Sequence, residues 1–279
     1  MSMKQLLATI LCLLAILGAG AAPAEEIVGF SAETKDYHYM ILGTYPYEED
    51  GTEAPLVWRV LGVQDQVATL FTEDVIDVRQ MIELETYKQL SKKKYPRKIQ
   101  DWTESDLYVW MCGELAETIL RQQDFSPAII RVDGAPFYLL SDEELRNKET
   151  FGFPTNILGS RREPTDGGRP LEPLAVRRMA EATPYAKNRV PQPNWGRKTK
   201  NKLSVMNYGG VAYWRAAIRS SINWGGIVGV NGHLSWHGMG DVQIGVRPAL
   251  RLDVTKLRIV GGTGTKEDPW TVEVTGNQP

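Results

Sequence analysis

The chain has 279 residues, with 32 Lys and Arg against 34 Asp and Glu, and it carries 8 Trp, 11 Tyr, 26 Gly, 16 Pro and 2 Cys. That balance excludes a collagen, a coiled coil, a disulfide-stapled miniprotein and a disordered tail. With 42% apolar and 24% charged residues, a chain of this length can bury roughly three quarters of its unfolded surface.

Residues 1–24 have the parts of a secretory signal: Lys4 in the n-region, an apolar run from Leu6 to Leu17, and the small residues Ala22-Pro23-Ala24 at the cleavage positions. The run is short of the roughly 20 residues that a membrane span needs. The expectation is a secreted or extracytoplasmic protein, in the periplasm or at the cell surface, with no membrane span after cleavage. An uncleaved anchor is the alternative. Cys12 lies inside the apolar run, which argues against a lipid-modified cysteine. Cleavage leaves Cys112 as the lone thiol, expected to be a buried, inert core residue between aromatic and apolar neighbours.

In chain order, residues 37–47 read as a strand, followed by strands at 57–63 and 67–71 separated by Gln64-Asp65-Gln66. Asp74 to Gln80 then leaves the sheet. A helix is predicted over 103–123, opened by a capping box from Thr103 to Asp106 and carrying a stripe of Leu107, Trp110, Met111, Leu115, Thr118 and Ile119. Phe125-Ser126-Pro127 ends it. Phe137 to Leu140 reads as a short buried strand, and Ser141 as the N-cap of another helix.

Residues 153–202 are Pro-rich and basic, with 11 Lys or Arg against 4 acids between Arg161 and Lys202. A polyanion site and a solvated loop against an acidic body both fit this asymmetry. No nucleic-acid reader motif accompanies it, so no nucleic-acid partner is expected. A short helix is predicted within 175–186. From Asn207 to Gly240 eight glycines alternate with Tyr208, Tyr213, Trp214, Trp224 and Trp236, a density that favours turns and long loops. Ile244 to Leu252 reads as a closing strand. Leu257–Val260 and Trp270–Val274 read as a hairpin appended to the body, an extension over 257–279.

Several of these segments, in order, resemble the bacterial domain-of-unknown-function family six-two-seven-three. They are Val57-Trp58-Arg59-Val60-Leu61, Phe137-Tyr138-Leu139-Leu140-Ser141, Ala182-Thr183-Pro184-Tyr185-Ala186, Tyr213-Trp214-Arg215 and Gly245-Val246-Arg247-Pro248-Ala249-Leu250. The end of the chain is also similar to formylglycine-generating-enzyme-like C-type lectin folds. The resemblance implies an α+β fold over 25–256: an irregular C-type-lectin-like domain with a small twisted antiparallel sheet, flanking helices and long Gly/Trp-rich loops that face the ligand. The chain departs from the family at Tyr213-Trp214-Arg215-Ala216-Ala217, where a second Trp and Leu-Arg-Ser are expected. The copper chemistry of formylglycine-generating enzymes needs a cysteine pair, which Cys112 alone does not supply.

His233 and His237 are four apart, as in zinc-binding helices, but the Glu after the first His is missing and the flanking glycines suggest a loop or hairpin. They are weak metal candidates, with Asp241 the nearest acid, and no metal or cofactor is expected. Arg247 is expected to tie loop carbonyls together rather than bind substrate. For the aromatic segment two readings stand. Trp224 and Trp236, in loops, stack on a ligand while Asn223, Asn231, His233 and Asp241 supply hydrogen bonds, or the aromatics fill the core. The leading expectation is a non-catalytic binding domain for a glycan, cell-wall fragment or protein. An extracytoplasmic metal-assisted hydrolase using His233, His237 and Asp241, and a structural cell-envelope protein, are the alternatives.

Overall fold

The structure, a computed structural model, describes residues 26–83, 102–155, 178–189 and 244–275, with the shorter pieces 165–166, 169–170, 214–216, 224–229 and 232–238. The expected leader lies outside the described residues, as does much of the basic Pro-rich stretch.

The first expected strands form. β1 (His38–Pro46), β2 (Glu53–Gln64) and β3 (Val67–Thr72) make an antiparallel meander. Asp65 and Gln66, with φ of 49° and 65°, turn β2 into β3 through the mirror-image geometry that matches strand twist. Beyond β3 the chain does not simply leave the sheet: it enters a second one through β4 (Asp77–Val78).

The helix expected over 103–123 is broken in two, α1 (Asp106–Cys112) and α2 (Glu114–Leu120). Gly113, at φ −103° and ψ −99°, takes a backbone conformation that leaves the helical ladder. The cap is Ser105 rather than Thr103, its hydroxyl accepting from the Tyr108 N–H at 3.1 Å. Asp106 is instead the first residue of α1, and its carboxylate accepts from the Glu83 N–H at 2.7 Å. The stripe is as expected at Leu107, Trp110, Met111, Leu115 and Ile119, all buried. Cys112 is half-buried rather than fully enclosed.

Next come β5 (Ile129–Ile130), α3 (Asp142–Leu145) and α4 (Lys148–Phe151). Ser141 caps α3 in a full capping box with Glu144. Phe137 to Leu140 is buried but makes only a bridge, Tyr138 and Ala249 exchanging bonds of 2.9 and 2.8 Å. A short ribbon, β6 (Thr165–Asp166) and β7 (Arg169–Pro170), follows. The helix expected within 175–186 begins later, as α5 (Pro184–Asn188), because Ala182 is held in a parallel bridge to Val75 and Thr183 supplies the cap. The Gly/Trp-rich segment holds strands, not only loops: β8 (Trp214–Ala216), β9 (Trp224–Val228) and β10 (Leu234–Gly238). The closing strand is split into β11 (Gly245–Val246) and β12 (Ala249–Asp253), since Pro248 offers no N–H to continue one ladder. The chain ends its described part in β13 (Leu257–Gly261) and β14 (Trp270–Val274).

The architecture is a mixed sheet curled into a half-barrel with few helices, so the expectation of a small antiparallel sheet is corrected. The main sheet has seven strands in the order β13-β14-β1-β2-β3-β12-β5, and β14 lies parallel to β1. A second sheet runs β10-β9-β8-β11-β4. Strand alternation divides the core: Trp58, Val60, Leu70, Leu250 and Leu252 pack with α1 and α2 on one side. On the other, Leu61, Phe71 and Ala249 meet Phe151, Phe153, Ala182, Val228 and Leu234. That second cluster joins the sheets.

The C-terminal hairpin forms as expected and is integrated with the main sheet. Trp270 is 1% exposed and belongs to the first core. Gly264, at φ +76°, lies so close under the Trp270 indole that any side chain there would collide with it. Trp270→Ala is expected to lower the stability of the whole protein by about 3–5 kcal/mol in urea unfolding. An unchanged main transition would show the hairpin to be an independent appendage.

Candidate binding site and its arginine braces

The glycine-rich segment folds as a hairpin whose ladder is unusual. Its register sets Trp224 against Gly238, Gly225 against His237 and Gly226 against Trp236. Three successive pairs thus each join one ring-bearing residue to one glycine. Glycine weakens a strand interior and commonly marks a place where a ligand or another backbone approaches closely. Val228 and Leu234, the last pair before the turn, are buried in the second core and anchor the base of the turn.

The turn itself is tight. The Gly229 N–H donates to the His233 carbonyl and the Gly232 N–H to the Gly229 carbonyl, both at 2.8 Å. The His233 ring lies against Gly229, where a Cβ would collide with it, so position 229 admits only glycine while the ring stays in place. The histidines therefore occupy a hairpin, not a helix. Extended backbone from His233 to His237 separates their Cα atoms by about 13 Å, against about 6 Å for a helical pair. The described residues contain no group of three or more His, Cys, Asp or Glu placed to hold a metal ion. Trp224 and Trp236 stand on strands, which corrects their expected loop setting. Asn223, Asn231 and Asp241 lie outside the described residues.

Behind the hairpin sits an ionic cluster that the sequence reading did not assemble. Arg247 is fully buried. Its Nε donates to the Thr72 carbonyl at 2.6 Å, its Nη1 to the Arg178 carbonyl at 3.4 Å, and its guanidinium lies 3.9 Å over the Phe71 ring. This is the carbonyl-tying role expected of it. Burial, then repulsion from Arg59, pulls its pKa down to about 9, which leaves it charged at neutral pH. Arg178, 1% exposed, donates from Nη1 to the Gly232 carbonyl at 3.1 Å and from Nη2 to the Pro154 carbonyl at 2.6 Å. Burial lowers it to about 10.

Glu73 is the counter-charge. Its Oε2 accepts from Arg59 Nε at 2.8 Å and lies 2.6 Å from Arg59 Nη2, and its Oε1 accepts from Lys266 Nζ at 2.8 Å. Arg247 Nη2 stands 3.9 Å away. Burial alone would push the Glu73 carboxyl up, but Arg59, Arg247 and Lys266 outweigh it and hold the group below its ordinary range. The neighbouring Asp74 goes the other way, raised by burial and then by the Glu73 charge. A separate brace surrounds the fully buried Asp77, which accepts from the Tyr45 hydroxyl at 2.9 Å, Arg79 Nε at 3.2 Å and the Val78 N–H at 2.7 Å, with Arg189 Nε at 2.8 Å.

The Glu73 and Asp77 carboxylates are occupied by donors of the protein itself, so their chemistry is that of braces. Arg59 did leave a signal, a charge inside the apolar run Val57 to Val63. Arg178 left none, being one basic residue in a basic stretch. Compared with known protein families, with curated proteins and with solved structures, the chain matches none.

Two substitutions test the electrostatics by thermal and urea unfolding across pH. Glu73→Gln removes the counter-charge of buried arginines and is expected to cost about 3–5 kcal/mol at pH 7. Because the folded pKa of Glu73 lies below the ordinary 4.5, that cost is present above pH 4.5 and fades as pH falls through the folded value. Asp74→Asn has the opposite sign. Its folded pKa lies above the ordinary 3.8, so ionising it disfavours the fold, and the variant gains stability at pH 7 but not below pH 3.8. A loss at pH 7 from Asp74→Asn would contradict this assignment.

Proposed function

We propose that the protein is a secreted, non-catalytic recognition module of the bacterial envelope, related to domain-of-unknown-function family six-two-seven-three and C-type-lectin-like in its ligand-facing region. It binds a saccharide or cell-wall fragment, or a protein surface, through the β9–β10 hairpin. The observation that carries this reading is the ladder of ring–glycine pairs from Trp224 to Gly238. A glycine opposite an aromatic residue supplies no cross-strand side chain, and glycines inside a strand commonly mark a place where a ligand or another backbone approaches closely. Asn223, Asn231, His233 and Asp241 flank the strands in sequence. The mixture of apolar faces and a few polar groups is what small-ligand and glycan sites use.

One further feature supports the reading: Val228 and Leu234 hold the turn end of the hairpin in the second core.

The test is a screen of the purified protein against soluble peptidoglycan fragments and a broad glycan panel. Saturable binding is expected, and the Trp224→Ala, Trp236→Ala double variant should remain folded and bind at least tenfold more weakly, about 1.4 kcal/mol. A folded double variant that binds as well as the parent overturns the hairpin site. Absence of binding by the folded parent protein shifts the reading to a structural envelope protein.

A further inference from the structure

We infer that Arg178 is a positioning residue for the recognition hairpin: its buried guanidinium holds the turn between β9 and β10 in the shape that binds. This inference rests on the reading of that hairpin as the binding element. The backbone of the hairpin is intrinsically loose, although β8 pairs with β9 and Val228 and Leu234 enter the second core. Gly225 and Gly226 lie inside β9, β10 is the last strand of its sheet, and Gly232 in the turn has φ +76°. A ladder so rich in glycine has high conformational entropy to lose on ordering.

The Arg178 guanidinium meets that weakness from the protein interior. One arm of its planar fork takes the Gly232 carbonyl at 3.1 Å, and the other takes the Pro154 carbonyl at 2.6 Å. The residue is 1% exposed, so these bonds are made away from competing water. Its own carbonyl accepts from Arg247 Nη1 at 3.4 Å, and Arg247 is bonded to the Thr72 carbonyl at 2.6 Å. The turn of the hairpin is thereby tied through two arginines to the end of β3 in the main sheet. A lysine has one point charge and no fork, and cannot bridge two carbonyls in the same plane. Without the bridge the hairpin samples other shapes, and apparent affinity falls by the fraction of molecules that keep the competent one.

Arg178→Lys and Arg178→Met are compared with the parent by amide hydrogen exchange and by binding of soluble peptidoglycan fragments. Exchange at Gly229, Gly232 and Leu234 is expected to quicken at least tenfold in both variants, while Val60 and Leu70 in the main sheet keep their protection. Fragment binding should weaken roughly tenfold with the tryptophans intact. Should Arg178→Met fail to fold, Arg178→Lys, which keeps the buried charge, decides the matter. Unchanged hairpin exchange in the folded variant overturns the inference, as does equal loosening of the whole chain. A parent protein that does not bind the fragments counts against the binding reading, and the exchange measurement then still decides whether Arg178 orders the hairpin.

Discussion

A guanidinium stripped of water has to recover its solvation from the protein, and Arg247 does so at the place where the chain passes between its two sheets. Residues 72–77 leave β3 for β4, and residues 246–249 leave β11 for β12, side by side. The Ile76 N–H donates to the Val246 carbonyl at 3.0 Å and the Thr72 N–H to the Pro248 carbonyl at 3.1 Å. Both crossings interrupt regular ladders, so carbonyls such as that of Thr72 need donors from elsewhere. Arg247 supplies them, stacks on Phe71, and has Glu73 as counter-charge. An unpaired charge at this depth would cost several kcal/mol, which explains why Glu73, itself paired with Arg59 and Lys266, lies beside it.

The rest of the molecule is arranged by that junction. Glu73 draws Lys266 down from the turn between β13 and β14, which fixes the C-terminal hairpin on the same side as Tyr39, whose N–H donates to the Gly264 carbonyl at 2.9 Å. Arg178 carries the junction outward to the glycine-rich hairpin. A scaffold held by buried polar braces and two apolar clusters can present a glycine-rich segment in one conformation. Function in this account is a consequence of where rigidity is placed.

Much of this order was legible in the residues. Alternating and continuous apolar runs located β1, β2 and β3, and Ser141 followed by Glu144 located the start of α3. The role of Arg247 was readable because an arginine next to a proline inside a closing apolar strand has to find acceptors. What escaped was long-range. Gly113 breaks the helix by a local conformation, and Asp106 accepts from the Glu83 N–H, a partner that no spacing rule reveals. Pairing of β14 with β1 depends on the parallel approach of distant segments. The aromatic residues Trp224 and Trp236 were visible as candidates, but their facing glycines emerge only from the register of two strands, and Arg178 carries no mark that separates it from the basic residues around it.

The most direct test of the central claim is to follow backbone amide shifts by nuclear magnetic resonance while peptidoglycan fragments and glycans are titrated into the purified protein. The account predicts saturable changes concentrated at residues 224–238, with the main-sheet amides of β1 to β3 unmoved. Saturable changes centred instead on Tyr39, Asp74 and Lys266, with the hairpin silent, would place recognition at the ionic cluster and contradict it.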